Sequence, residues 1–342
     1  MADALLSPAV GATMWAGSVA TIGYSSRKLK ENIDNKTVPL MGVMGAFIFA
    51  AMMINFTIPG TGSSGHIAGG ILLAVMLGPY AAFIVLASVL VVQALFFADG
   101  GLLALGCNIW NMGFYPCFLG YPLIYKPIAG DGTSARRISI AAIVSVVIAL
   151  QLGAFSVVLE TLLSGKSELP FGTFVLLMQP IHLAIGFVEG IITVGIISYV
   201  KKVRPEIIES GNFLRPFDAG ISLKNIMVTF VILAVVTGGG LSWFASTHPD
   251  GLEWSIKKVT GKTELAGQTN GVASLFKDIQ EKAAFLPGYN FKPSAKEDAK
   301  ANEAPAWPGN EAGTSFSGIL GGAIVLMFIL LIGVGIRFLK KR

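Results

Sequence analysis

Apolar residues come in long runs along this chain, and the runs are separated by short polar joints. Runs long enough for spans of about 20 residues occupy 8–24, 39–57, 79–97, 102–125, 138–163, 174–200, 225–244 and 318–339. A shorter run, 67–78, follows a Gly/Ser cluster and is expected to cross as a short or broken helix, meeting the next run at Gly78-Pro79. The pattern predicts an all-α integral membrane protein with about nine transmembrane helices. One polar stretch is long, 245–317, with eight lysines against nine acids. Within it, Asp250 and Glu253 have capping-box spacing, and Leu252, Ile256 and Val259 then share a helical face. Val272 to Phe285 reads as a second short helix and 287–317 as linker.

Composition supports the membrane assignment. Of 342 residues, 53% are hydrophobic and 13% charged, and mean hydropathy is +0.69. A soluble domain carries about 25% charge, so a soluble enzyme or nucleic-acid binder is excluded. The net charge of +5 has a positional meaning. With nine crossings, Arg27, Lys28, Lys30 and Lys36, then Lys126, Arg136 and Arg137, then Lys201, Lys202, Arg204, Arg215 and Lys224, and finally Arg337, Lys340, Lys341 and Arg342 fall on one side. The short loops opposite hold only Lys166. The basic side is therefore expected in the cytoplasm, with the N-terminus outside and the C-terminus inside. The acid Asp3 precedes the first run and the cations follow it, which is unlike a signal peptide, so that run is expected to stay in the mature protein. The basic face then meets anionic lipid or a cytoplasmic protein.

Little in the chain could carry catalysis. Gly60-Thr61-Gly62-Ser63-Ser64-Gly65-His66 has the GxGxxG spacing without a βαβ setting, and the GxxxxG spacing with His66-Ile67 where a phosphate loop needs Lys-Ser/Thr. No HExxH pattern lies on a span. The same segment reads as a flexible, outward-facing loop that brings one imidazole, His66, to a helix start as a candidate metal ligand; a loop histidine bonded to backbone is the alternative. Inside spans, Asn108 and Asn111 share a face, as do His182 and Glu189. The His–Glu pair is either a gate or relay or an interhelical packing pair. Glu160 and Asp99, near outer ends, call for no special role. Ala12, Ala16 and Ala20 form a small-residue stripe for internal packing or for docking a partner subunit. Cys107 and Cys117, ten apart in one apolar run, read as buried hydrophobes.

Ala2-Asp3-Ala4-Leu5-Leu6-Ser7-Pro8, Val38-Pro39-Leu40-Met41-Gly42, Ser64-Gly65-His66, Gln93-Ala94-Leu95-Phe96-Phe97 with Asp99-Gly100-Gly101, Asn111-Met112-Gly113, and His182 to Gly190 together resemble the CbiM/NikM family. These are the substrate-binding membrane components of energy-coupling-factor transporters for cobalt and nickel. The likeness covers roughly 1–220; 221–342, with Pro249-Asp250-Gly251-Leu252-Glu253 between two spans, resembles a fused CbiN/NikN-type subunit. It implies a seven-helix metal-binding unit and a two-helix unit in a bacterial or archaeal cytoplasmic membrane. It also implies capture of Ni²⁺ or Co²⁺ as cargo with no permanent cofactor, and as partners a transmembrane coupling subunit and two cytoplasmic ATPases. A stand-alone secondary transporter or channel is the alternative. In the family the metal sits in a nearly square-planar nitrogen set: the terminal amine, the backbone nitrogen and imidazole of a histidine at position two, and the imidazole of the Ser-Gly-His motif, here His66. That set suits Ni²⁺. Ser64, Asn108, Asn111, His182 and Glu189 are then residues around the site or along the ion's path. This chain departs from the family start: members begin Met-His, whereas Met1 here directly precedes Ala2-Asp3. Either the native start lies two residues upstream or the chain is a shortened form, and as written only the Met1 amine and His66 remain. The 245–317 loop is expected to close over, or to order, the metal-binding loop.

Overall fold

Ser7 opens the first helix by capping Val10 N–H through its hydroxyl, and Pro8 takes the first helical position. In this computed structural model, which describes residues 1–33, 36–166, 168–203, 223–265, 271–291 and 312–340, every predicted apolar run contains a helix, although the 39–57 run leaves its helix at Met52. These helices are α1 (Pro8–Asn32), α2 (Thr37–Met52), α3 (Gly70–Leu77), α4 (Pro79–Phe97), α5 (105–129), α6 (Ala135–Leu163), α7 (Phe171–Val203), α8 (Lys224–Gly239) and α11 (Ala312–Lys340). Between α8 and α11 stand α9 (Gly251–Thr260) and α10 (Val272–Ala283). Among the described residues, α4, α6, α7 and α11 are long and apolar enough to cross a bilayer, while α2 and α8 are shorter apolar helices. The boundary expected between the units 1–220 and 221–342 lies outside the described residues.

The bundle is built around α2, of which 14 of 16 residues are buried. Helices α8 and α11 both pack on it and on each other. Their own contact is glycine against glycine: a Cβ placed on Gly318 would lie 2.4 Å from the Gly238 carbonyl oxygen, so the two backbones touch in the manner typical of lipid-embedded helices. On the other side, α6 and α7 pair along their length, and α6 packs on α5. The middle of α5, Trp110–Tyr125, winds as a π-helix with Pro116 and Pro122 inside it; long π stretches are rare and cluster at functional sites. Helix α1 lays Gly11, Trp15 and Ser18 against the segment before and within α5, with Trp15 Nε1 donating to the Leu102 carbonyl at 2.9 Å and Ser18 Oγ to that of Gly106 at 2.7 Å. Ala12, Ala16 and Ala20 point away and are exposed, so the stripe is not internal packing.

Three expectations change. The Gly60–His66 segment is not a free loop: Phe56–Ile58 (β1) and Ser63–Gly65 (β2) pair as an antiparallel hairpin, and Ser63 to Gly65 are buried. Side chains on β1 and the neighbouring polypeptide outweigh the flexibility that a Gly/Ser composition suggests. Second, His66 precedes α3 by four residues instead of opening it. Third, the linker is shorter than 287–317, because Tyr289 packs on the Phe49 and Phe97 rings and α11 already starts at Ala312.

Candidate metal-binding cavity

Glu189, deep in α7, is fully engaged from across the bundle. Its two carboxylate oxygens accept the Ala68 N–H at 3.0 Å and the Gly69 N–H at 2.9 Å. Gly69 has φ +73°, a left-handed conformation that lets both N–H groups face one carboxylate. This clamp fixes the chain two and three residues beyond His66. His182, seven residues earlier on the same helix, places Nδ1 2.7 Å from the Met178 carbonyl oxygen. A carbonyl only accepts, so Nδ1 donates and Nε2 is the nitrogen left for a metal when the ring is neutral, as in oriented metal-binding imidazoles. The two side chains do not bond each other. Glu189 is held across the bundle by the two N–H groups that precede α3, and His182 is held by a carbonyl of its own helix.

The amino end enters from the opposite wall. The Met1 carbonyl accepts Gly101 N–H at 3.2 Å and Asn108 Nδ2 at 3.4 Å. Asp3 takes the Ala104 N–H at 2.8 Å; burial raises its carboxyl above the ordinary range, against the lowering pull of the Ala104 and Leu103 N–H groups. Between the two walls lies a cavity of about 150 Å³ lined by Met1, His66, Asn108, Asn111, His182 and Glu189, among others. At about 30 Å³ per water, that is room for a small ion with part of its hydration shell. No three His, Cys, Asp or Glu side chains stand together as a cage among the described residues.

Of the residues expected to hold or surround the metal, Ser64 is the one outside the lining. Its hydroxyl donates to the His248 carbonyl at 2.8 Å and its N–H to that of Pro249, also at 2.8 Å. Ser64 thus seats the segment that opens α9, and Trp254 adds a bond from Nε1 to the Thr61 carbonyl at 2.9 Å. The capping box at Asp250 and Glu253 forms as its spacing predicts. Leu252, Ile256 and Val259 pack with Leu5, Phe174 and Met178. Asp250, Gly251 and Leu252 therefore form part of the cavity wall, a role that spacing alone did not reveal. Glu160 was also missed: it is buried and accepts Asn111 Nδ2 at 2.9 Å, holding Asn111 at the wall. A carboxylate in a run otherwise apolar was the available signal. Cys107 and Cys117 are both free and buried.

Residues 1–207 match the family model of CbiM, described as the cobalt uptake substrate-specific transmembrane region, and 224–338 match the PDGLE domain. The chain belongs to the CbiM family. Among relatives of this CbiM-family chain, the fused nickel transport protein NikMN of Rhodobacter capsulatus is 29% identical over 369 residues, covering 99% of this chain and 98% of that one. The NikMN chain of Archaeoglobus fulgidus is 38% identical over 207 residues, 60% of this chain and 67% of that one. A crystal structure of a transition metal transporter is similar at 34% identity with a TM-score of 0.53, covering 62% of this chain and 97% of that chain. The CbiM-family chain is thus a multi-pass membrane protein whose relatives are nickel and cobalt transport proteins.

Proposed function

We propose that this chain captures Ni²⁺ or Co²⁺ outside the cell and delivers it inward as the substrate-specific component of an ATP-driven energy-coupling-factor transporter. The metal is cargo, and the chain itself catalyses nothing. Residues 1–220 act as the metal-binding unit and 221–342 as the fused two-span unit. In this reading the chain crosses the cytoplasmic membrane nine times with its N-terminus outside and C-terminus inside, as the one-sided cations favour. ATP hydrolysis belongs to two separate cytoplasmic subunits reached through a transmembrane coupling partner.

The observation that carries the reading is the meeting of the amino end with His66 in one cavity, next to a second imidazole, His182, whose Nε2 lone pair is free of the Met178 bond. Amine, amide and imidazole nitrogens suit Ni²⁺ and Co²⁺ and discriminate against Mg²⁺ and Ca²⁺. Residues placed ahead of Met1 enter next to His66, which is where a Met-His start supplies its donors. Ni²⁺ titration of three full-length chains tests this. The chain as printed binds weakly, the chain extended by Met-His binds tightly, and His66→Ala in the extended chain loses more than the ~10–100-fold that follows removal of an outer partner. Equal, tight binding by the extended chain with and without His66 would refute the model.

Partner docking is assigned to the exposed Ala12, Ala16 and Ala20 face of α1, where small residues let another helix approach closely. Ala16→Leu then abolishes co-purification of the coupling subunit and leaves Ni²⁺ binding unchanged. A complex that survives this substitution moves the docking face elsewhere.

A further inference from the structure

The amino-terminal arm and the His66 hairpin reach the cavity from distant parts of the chain, and each is braced from behind by a different helix of the 245–291 stretch. Behind the hairpin stands the start of α9. Behind the arm stands α10, whose half-buried Gln280 directs Nε2 at two carbonyls, Gly100 at 2.6 Å and Ala94 at 2.9 Å. A side-chain amide nitrogen has two hydrogens, and both are used. The Ala94 carbonyl belongs to the last turn of α4, where carbonyls lack helical partners. The Gly100 carbonyl belongs to the turn whose next N–H, that of Gly101, donates to the Met1 carbonyl.

The arm lies flat on this turn. A Cβ on Gly101 would sit 1.8 Å from Asp3 Oδ1, and Phe276, on α10, packs against the cluster of Leu6 and Leu103. One amide therefore ties the end of α4 to the turn that holds the first residue of the chain. We propose that Gln280 is a positioning residue of the metal site. It fixes the 100–101 turn, and through it the amino end, so that α10 sets one arm of the ligand set while the start of α9 sets the other. As a metal-site role, this rests on reading the amino end as a donor to the cargo ion.

The test uses the full chain with Gln280→Met, which keeps length but not the donors, and Gln280→Lys, which keeps a donor. The readout is the rate at which the Met1 α-amine is acylated by an amine-reactive probe at pH 7, read by mass spectrometry against surface lysines of the same molecule. Circular dichroism and size-exclusion profiles serve as fold controls. Gln280→Met speeds acylation several-fold, up to about tenfold, as expected when the turn loses its one hydrogen bond from this side chain, that to the Gly100 carbonyl; Gln280→Lys stays near the parent rate. An unchanged rate in Gln280→Met overturns the proposal. Ni²⁺ titration of the Met-His-extended parent chain, with and without His66→Ala, runs in parallel. Equal binding there overturns the metal-site premise on its own, independently of the acylation result.

Discussion

Glu189→Gln is expected to weaken Ni²⁺ binding by the Met-His-extended chain ~10–100-fold, the range seen when an outer partner of a metal ligand is lost, without unfolding it. The carboxylate accepts two backbone N–H groups, Ala68 and Gly69. An amide of the same shape offers one accepting oxygen and turns an NH₂ toward the second donor. The strand-to-helix joint after His66 then loses one of its two fixings, and the imidazole loses its preset position. Because Glu189 acts through His66 in this account, the two substitutions must not add: in a His66→Ala background, Glu189→Gln should change the remaining affinity very little. Full additivity would show that Glu189 meets the ion by a separate route. Isothermal titration of the four chains supplies the comparison.

Gly318→Leu carries the other large effect. Its Cβ alone would lie 2.4 Å from the Gly238 oxygen and 2.6 Å from its Cα, backbone atoms that no rotamer can move. Overpacking of this kind costs about 1–3 kcal/mol, occasionally more, and here it also threatens the bond from Trp243 Nε1 to Ser315 Oγ at 2.6 Å near the same end of the helix pair. The expected outcome is a lower midpoint for thermal unfolding in detergent, with Ni²⁺ affinity of the extended chain retained because α8 and α11 pack on α2 and not on the cavity lining. An unshifted midpoint would mean that the two helices part without loss.

What the sequence made legible follows the physics of each signal. Desolvation of a span needs only a run of apolar residues, so the helices were visible. So was the cap at Asp250, which depends on residues three apart. Facing relationships across the bundle leave no such local trace. Glu189 was noted as a charge in a span, yet its partners, Ala68 and Gly69, lie 121 and 120 residues away and donate from backbone. Ser64 belonged to a recognisable motif, but its bond to the Pro249 segment joins residues 185 apart. Glu160 looked like an end residue until α5 supplied Asn111. The π-helical winding of Trp110–Tyr125 was hidden for the opposite reason, since hydropathy is blind to hydrogen-bond register.

The seam between β2 and the start of α9 has a kinetic consequence. The polypeptide that completes one wall of the cavity is tethered to the one that carries His66, so their meeting is unimolecular and its extent does not vary with how much protein the membrane holds. In an arrangement where those two segments belong to separate gene products, the same Ser64 contacts would form only as the square of expression allows, whereas fusion holds the local encounter at a constant effective molarity.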